Sequence, residues 1–561
     1  MISNILKKIN SLPDIFFYNA KIYPNKKFLY SKIDKEWIGK SFKDSKKTIL
    51  KIAYFLYSKK ISKNDKIFLI SSNRSEWVEI DLATMMIGAV TVPCFPTNSE
   101  NDNKFIIQDC NPKLIIVENE NIYKKNHSLF KKIPDSNIFM IENSEKYNCY
   151  KKINGSANEL NKSIKVKKSD VSTIIYTSGT SGNPKGVVLT HDSMIHNLEA
   201  AEEILKDFKT TNERFISFLP LSHSYERVAG LYFPMLINGR IYFCSSLDKL
   251  LSEIKDVKPT IFSAVPRLYE NIHKKIKLKF SSSRNIFLIF LNLILERAEL
   301  NQLHESPRLL DKLTVFIMKF FLKNKVKEIF GGKVKVLVSG GAALNPSTGL
   351  FFTKLGFDLL QGYGQTEAAP LISCNVKVKN DPKTVGFPVK NTQVRISKNN
   401  EILVKGRNVM QGYWENKNLT LKTIKEGWLH TGDLGYFDDI GRLVINGRKK
   451  DLIVTSGGDN ISTQKIENLF TKHIEIDQVV IFGDNKPFLV ALIVLSNDFK
   501  TIDVNSKIIE INKQLSSLEK IRKFIIAKKF TSEDGLVTPT LKLKKDKIYE
   551  LYKDKILDLY R

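Results

Sequence analysis

The sequence predicts an α/β protein: a large N-terminal region of doubly wound βα subdomains with a small β-rich lobe, then a small C-terminal α+β domain. Three observations predict it. Apolar runs of strand length alternate with helical segments from Lys66 onward, which implies parallel sheets covered by helices. A loop rich in glycine and hydroxyls, YTSGTSGNPKGV at 176–187, separates two β-branched runs. Beyond Asn375 short strands and turns take over, and from about Lys450 a last mixed segment begins. A chain of 561 residues exceeds one ordinary core, so several units of ~100–200 residues are expected.

In order, residues 66–71 (KIFLIS) read as a strand, 75–88 as a helix, 89–96 as a strand, and 113–117 as another short strand. STIIY at 172–176 and the apolar 187–189 are strands joined by the glycine-rich loop. Thr190 or Asp192 caps a helix that runs to Ile204. A strand at 215–219, a helix over 222–237 and a strand at 241–244 follow. Helices at 247–257 and 267–278 flank a strand at 260–265. Residues 281–330 break this rhythm with two helical stretches rich in Phe, Leu and Ile and punctuated by Pro307. They form either an αα-hairpin packed on the core or a basic, apolar surface that leans on a membrane. Strands at 334–338 and 357–360 end in Gly340-Gly341 and in GYGQTE. Ligands in open α/β sheets sit beyond the carboxyl ends of strands, so both turns should face one crevice with the phosphate loop. The lobe over 376–448 contains VRIS, EILVKG and GRLVING, with Asp439, Ile440 and Gly441 turning a hairpin. The large domain is thus placed at 1–448. The small one, 451–561, comprises DLIV, a helix over 462–473, a hairpin around Asn485 and a lysine-rich tail.

Lys and Arg number 88 against 59 Asp and Glu, a net charge of +29, which suits an anionic partner. The lysines are spread along the chain, without an Arg-rich arm, zinc-finger spacing or ribonucleoprotein motif, so nucleic acid is not the expected partner. Five scattered cysteines without a C-x-x-C pair read as reduced thiols of a cytoplasmic protein. The first ten residues lack the long apolar core of a signal peptide, and the apolar run 286–295 is about half a bilayer span.

The loop at 176–187 is built for a polyphosphate. Gly179, Gly182 and Gly186 let backbone N–H groups approach an anion, Thr177, Ser178, Thr180 and Ser181 offer hydroxyls, and Lys185 adds a charge. It is not a Walker P-loop, because Lys185 precedes Gly186 and no Gly-Lys-Ser/Thr leads into a helix. A mobile surface loop is the plainer alternative for such a composition. The order of residues decides against it: the loop resembles the signature of the AMP-forming acyl-CoA synthetases, the adenylate-forming superfamily that includes luciferases and peptide-synthetase adenylation domains. Further segments resemble that family in its order: SGGAAL (339–344), GYGQTE (362–367), WLHTGD (428–433) and GRKKDLIVTSGG (447–458).

Activating a carboxylate at neutral pH needs a better leaving group than hydroxide, which attack on the α-phosphorus of ATP supplies. Two anions must then meet, so catalysis is mainly charge neutralisation and alignment. The resemblance implies roles for particular residues. Glu367 binds Mg²⁺, as one carboxylate beside phosphates can; its plainer alternative is to cap a following helix. Thr366 and Thr180 contact phosphate, Tyr363 stacks on adenine with Gly362 and Gly364 in its turn, and Gly340, Gly341 and Ala342 form the adenine wall. Asp433 accepts from the ribose hydroxyls, and Arg448 contacts ribose and phosphate. Lys450 falls at the hinge, and Gly457 and Gly458 line the thioester-forming site after the small domain rotates.

The tail reads TPTLKLKK, without the glycine of the common P-x-T-x-x-G-K ending, and is similar to long-chain members. Lys542 is the expected catalytic cation, but Lys544 would share its face of an extended segment. LPLSHSYER (219–227) and VPRLYE (265–270) also resemble long-chain members, as does the 281–330 insertion. His223 then borders the acyl pocket, or is structural. The resemblance therefore implies a long-chain fatty acid–CoA ligase using ATP, CoA and Mg²⁺, with peripheral contact to an anionic membrane on its cytoplasmic face. Open alternatives are an acyl carrier protein as acceptor, release of the acyl-adenylate, or a membrane-associated nucleotide-binding scaffold without turnover.

Overall fold

The computed structural model describes residues 2–130, 133–145, 147–149, 165–177, 184–281, 319, 322–457, 459–496, 504–531, 533–538 and 542–561. Its largest sheet runs, edge to edge, through Gly412–Tyr413, Lys185–Thr190, Val171–Thr177, Val90–Cys94, Lys66–Ile70, Leu114–Val117, Ile138–Met140 and Asn148–Cys149. The strands from Val171–Thr177 to Asn148–Cys149 pair in parallel. Their near-continuous Val and Ile content suits burial on both faces. The remaining two pairs are antiparallel: Gly412–Tyr413 with Lys185–Thr190, and, flanking the glycine-rich loop, Val171–Thr177 with Lys185–Thr190, where Thr177 stands opposite Lys185. The loop thus closes a hairpin instead of opening a helix.

A second sheet orders Ile261–Ala264, Val336–Ser339, Leu359–Gly364, Leu371–Cys374 and Phe387–Pro388. The first three are parallel, so the turns after Ser339 and around Gly364 emerge at one edge. A four-stranded sheet adds Arg214–Ser217 and Arg240–Phe243 to an N-terminal hairpin, Lys27–Ile33 with Glu36–Ser41. That hairpin lies before the first strand read from the sequence. It is pinned where the rings of Phe28 and Phe42 stack 3.9 Å apart beside Phe16, each buried phenyl contributing about 1.5–3 kcal/mol.

Over 222–237, where one helix was expected, the chain is helical without a break from Ser224 to Leu236, with a wider i→i+5 segment, Arg227–Tyr232, between Ser224–Glu226 and Phe233–Leu236. Two features account for the wider segment. Pro234 lacks the N–H of a regular turn, and the Glu226 carboxyl folds over Gly230, where a Cβ would meet its Oε1 at 2.2 Å. Arg227, fully buried, holds the segment to the large sheet. It donates to Thr173 Oγ1 at 2.7 Å and Tyr232 Oη at 2.9 Å and pairs with buried Asp81.

The β-rich lobe is antiparallel, ordered Thr392–Ile396, Glu401–Gly406, Trp428–Phe437 and Ile424–Lys425, with Leu443–Arg448 also on Trp428–Phe437. The Asp439–Gly441 turn closes as read, its N–H groups gathered by Asp438 Oδ1. In the small domain, Ile476–Phe482, Leu489–Leu495 and Ile521–Ile526 form a three-stranded sheet. Helix Thr463–Thr471 packs on it, and the lysine-rich tail is largely helix Lys545–Asp558. Of the 281–330 insertion, residues 322–329 are helical, and Leu322, Val326 and Phe330 are buried in the core beside Tyr269 and Phe352. Residues 282–318 of the 281–330 stretch, where membrane contact was expected, lie outside the described residues. No helix among the described residues is long and apolar enough to cross a membrane.

Candidate active site

One cleft of about 2510 Å³ gathers the motif residues from both domains. Thr177 and Lys185, Gly340 to Ala342, Gly362 to Gly364, Thr366, Glu367, Asp433 and Arg448 line it from the large domain, and Lys542 from the small one. Ser178, Gly179, Thr180, Ser181 and Gly182 lie outside the described residues, but their flanks open into this cleft.

The centre is Asp433. Strands Trp428–Phe437 and Leu443–Arg448 set it opposite Arg448 in register, and Arg448 Nε donates to its Oδ1 at 2.7 Å. Tyr363 Oη donates to Oδ2 at 2.7 Å. Burial, with that carboxylate alongside, raises the Tyr363 pKa and keeps the phenol a donor, while Asp433 holds the Arg448 guanidinium charged. A nearly fully buried carboxylate is thus already ion-paired, and each oxygen retains a lone pair for a further donor.

Glu401, not picked out from the sequence, and the WLHTGD residues His430 and Thr431 surround this carboxylate's backbone. Glu401 Oε1 accepts from the Gly432 N–H at 3.0 Å, where Gly432 has φ +71°, and His430 Nδ1 lies 3.4 Å from Glu401 Oε2. Thr431 Oγ1 donates to Ile402 O and accepts from the Asp433 N–H. Glu401 precedes its partners by about thirty positions, and strand pairing alone brings it across, so no local motif marks it.

Glu367 lies in a single tight turn, Thr366–Ala368, and caps no helix. Tyr413 Oη donates to its Oε1 at 2.9 Å, and Tyr413 also carries Lys185 Nζ 5.7 Å from its ring centroid. The strand before the turn needs glycine at 364, where a Cβ would stand 1.8 Å from Pro370 O. On the facing wall, Gly341 has φ +83°, and a Cβ at Gly340 would sit 2.9 Å from the Tyr225 ring.

Lys542 and Lys544 both line the cleft but meet different charges. The segment is not a simple extended strand. Lys542 closes a turn with Thr538, its N–H on Thr538 Oγ1 at 2.9 Å, and Lys544 N–H donates to Leu536 O just ahead of the last helix. Lys542 feels Arg448, Asp433 and Asp451, and lies close enough to His223 to depress its pKa, whereas Lys544 feels Lys547 and Asp102. The Lys542 side chain still meets water in the cleft, but protein walls crowd it on several sides. This crowding, then Arg448, lowers its pKa to about 8. Burial, and secondarily Lys542, lowers the His223 pKa to about 4. His223 Nδ1 accepts from the Tyr225 N–H at 3.1 Å, so a neutral ring carries its proton on Nε2.

Lys450 lies in the short turn Lys449–Asp451 and lines the cleft. Gly457 is not among the lining residues. It lies in a small-domain loop closed by Thr455 N–H on Asp459 O, and Gly458 is outside the described residues. One part of the cleft wall is apolar, formed by Ile204, Leu205, Phe215, Val228, Phe233 and Ile261.

Comparison with known proteins agrees with this geometry. Residues 16–414 match the family described as AMP-binding enzyme, and residues 450–561 match the AMP-binding enzyme C-terminal domain. The chain is 30% identical to the long-chain-fatty-acid–CoA ligase FadD15 of Mycobacterium bovis over 94% of this chain and 93% of that protein. It is also 30% identical to the long-chain-fatty-acid–CoA ligase 5 of Mus musculus, over 89% and 81%. Among solved structures, ATP-bound MatB from Rhodopseudomonas palustris superposes with a TM-score of 0.74 at 20% identity, covering 99% of this chain and 100% of that one. The shared architecture, the family match along most of the chain and these relatives lead to one conclusion: this chain belongs to the AMP-binding enzyme family.

Proposed function

We propose that the chain is an AMP-forming long-chain fatty acid–CoA ligase. ATP and a fatty acid give acyl-AMP and pyrophosphate; CoA thiol then displaces AMP to give acyl-CoA. The observation that carries this reading is the convergence of Asp433, Arg448, Tyr363, Glu367 and Lys542 on one cleft that also holds an apolar stretch of wall, Ile204, Leu205, Phe215, Val228, Phe233 and Ile261. A nucleotide and an acyl chain have complementary surfaces there, and the relatives' names favour the long-chain substrate.

In this reading Asp433 accepts from the ribose hydroxyls, with Tyr363 and Arg448 holding it in place. Adenine lies between Tyr363 and Gly340 to Ala342. Thr366 and the loop containing Thr180 bind phosphate oxygens. Lys542 offsets the charge where carboxylate and α-phosphate meet, and His223 presents Nε2–H at the acyl end of the cleft. Proximity and charge neutralisation accomplish most of the catalysis.

Glu367 fits a Mg²⁺ ion. One anchored carboxylate suits a metal that takes its other ligands from phosphate and water, and among the described residues no cluster of three or more His, Cys, Asp or Glu forms a protein cage. Bound there, Mg²⁺ neutralises phosphate charge. Lys450 is the hinge, dividing a large domain ending near 448 from a small domain beginning near 451. Its rotation brings Gly457 and Gly458 to the thioester step. The net charge of +29 also supports peripheral contact with an anionic membrane, which sedimentation with anionic and neutral vesicles tests.

The deciding experiment presents fatty acids of graded length with ATP and either CoA or acyl carrier protein, scoring AMP release and thioester. Long-chain acyl-CoA is the expected product. Thioester on carrier protein alone, acyl-AMP alone, or nucleotide binding without pyrophosphate release would each overturn the reading.

A further inference from the structure

The helix Pro266–Ser281 carries Arg267, Glu270 and Lys274. Spaced by three and four residues, these lie on one face, and that face meets the small domain. Arg267 Nη2 is 3.1 Å from Asp477 Oδ1, and Lys274 Nζ donates to Ile476 O at 2.9 Å. Glu270 Oε1 accepts from the Asn345 N–H at 3.3 Å, and Asn345 Nδ2 in turn donates to Asn468 O at 3.2 Å. Asp477 and Ile476 begin strand Ile476–Phe482, and Asn468 belongs to helix Thr463–Thr471. The large domain thus grips the small one at the start of its sheet and at its packed helix.

Arg267 and Asp477 do not line the cleft, whereas Lys542 does. They are linked through the body of the small domain. Lys545, three residues beyond Lys542, pairs with Glu467 at 2.8 Å and donates to Thr463 Oγ1 at 2.7 Å. Its tail is therefore fixed to the helix that Asn345 contacts. Whatever seats Ile476, Asp477 and Asn468 on the large domain also seats Lys542 beside Asp433 and His223.

We propose that Arg267 is a positioning residue for the first half-reaction. Through Asp477 it holds the small domain in the arrangement that places Lys542 in the cleft. This rests on the two-step reading above, in which that arrangement must be given up before CoA reacts. Asp477 is shared with Lys529, 3.1 Å from its Oδ2 within the small domain. Lys529 therefore offers a built-in control: it touches the same carboxylate but does not bridge the domains.

The test separates the half-reactions in the full-length protein. Arg267→Gln, Asp477→Asn, their double variant and Lys529→Gln are assayed for fatty-acid-dependent ATP–pyrophosphate exchange. They are then assayed for acyl-CoA formation from preformed acyl-AMP and CoA. The expected result is an exchange rate about five- to tenfold lower in each single bridging variant, tenfold corresponding to about 1.4 kcal/mol. The double variant should be no worse than either single one, because the two side chains form one interaction. The second step should stay at the wild-type rate or rise, and Lys529→Gln should leave exchange within about twofold.

Equal loss in both steps, multiplicative loss in the double variant, or unchanged exchange would each overturn the proposal. Should Arg267→Gln prove insoluble, Asp477→Asn tests the same contact from the other domain. The wild-type protein keeps the two failures apart. If it makes no acyl-CoA the ligase reading falls; if it makes acyl-CoA and the variants exchange normally, only the role of Arg267 falls.

Discussion

Replacing Lys542 by alanine is the sharpest test of the proposed chemistry. The lysine sits where crowding by protein walls, and then Arg448, press its pKa down to about 8, so near neutral pH it is still mostly protonated. A bound polyphosphate opposes that depression and raises the pKa again. An ammonium about 4 Å from a phosphate oxygen, at an effective dielectric near 20, gains about 4 kcal/mol. Water in the cleft screens part of this, and about 3–4 kcal/mol remains to be lost from the transition state, or roughly 10²–10³ in rate. Lys542→Ala should therefore slow ATP–pyrophosphate exchange by roughly that factor, and acyl-AMP with CoA should still react at nearly the wild-type rate. Folding should be unharmed, because a crowded cation beside Arg448 is removed. Equal loss in both half-reactions would refute the reasoning, as would normal exchange in Lys542→Ala with the defect appearing in Lys544→Ala.

Other outcomes follow from particular contacts. Arg227→Ala leaves the Asp81 carboxylate buried without its partner, and chemical denaturation should register a loss of about 3–5 kcal/mol. Glu401→Ala removes the acceptor of the Gly432 N–H; loosening Asp433 should raise the KM for ATP by about tenfold, with a smaller change in kcat. His191 is buried, its Nδ1 accepts from the Leu12 N–H at 3.2 Å, and burial lowers its pKa from 6.5 to about 4. The unfolded chain therefore binds the extra proton first as pH falls through this window, and the stability contribution, full above pH 6.5, is lost toward pH 4. His191→Asn should flatten that part of the pH–stability curve, as thermal unfolding at stepped pH would show.

Local pattern served well where the chemistry is local. The β-branched and aromatic run Ser172 to Tyr176, the cap at Thr190 and the turn at Asp439 to Gly441 are nearest-neighbour effects, and each appears in the structure. Between Thr190 and Asp192 the backbone chose Thr190, whose Oγ1 accepts from the Ser193 N–H at 3.0 Å. The helix expected over 222–237 formed from Ser224 to Leu236, but the wider segment Arg227–Tyr232 within it has a tertiary cause. The Glu226 carboxyl is buried against Gly230, with Ser217 Oγ donating to it at 2.6 Å, and a sheet residue cannot be inferred from the helix's own periodicity.

What the residue order determined by itself was the kit of parts: which turns carry glycine, hydroxyl, carboxylate and cation, and that strands deliver them. It could do so because a turn's composition follows from its own backbone geometry and the charge it meets. Only the tertiary structure decided how the parts are coupled. Asp433 became an ion-paired carboxylate because strand register set it opposite Arg448. Lys542 was separated from Lys544 because the tail turns at Thr538 and is tied to Thr463 and Glu467. Arg267 met Asp477 across 210 positions of sequence because two independently packed cores came to rest against each other. Such pairings depend on where whole sheets lie in space, which no short stretch of sequence encodes.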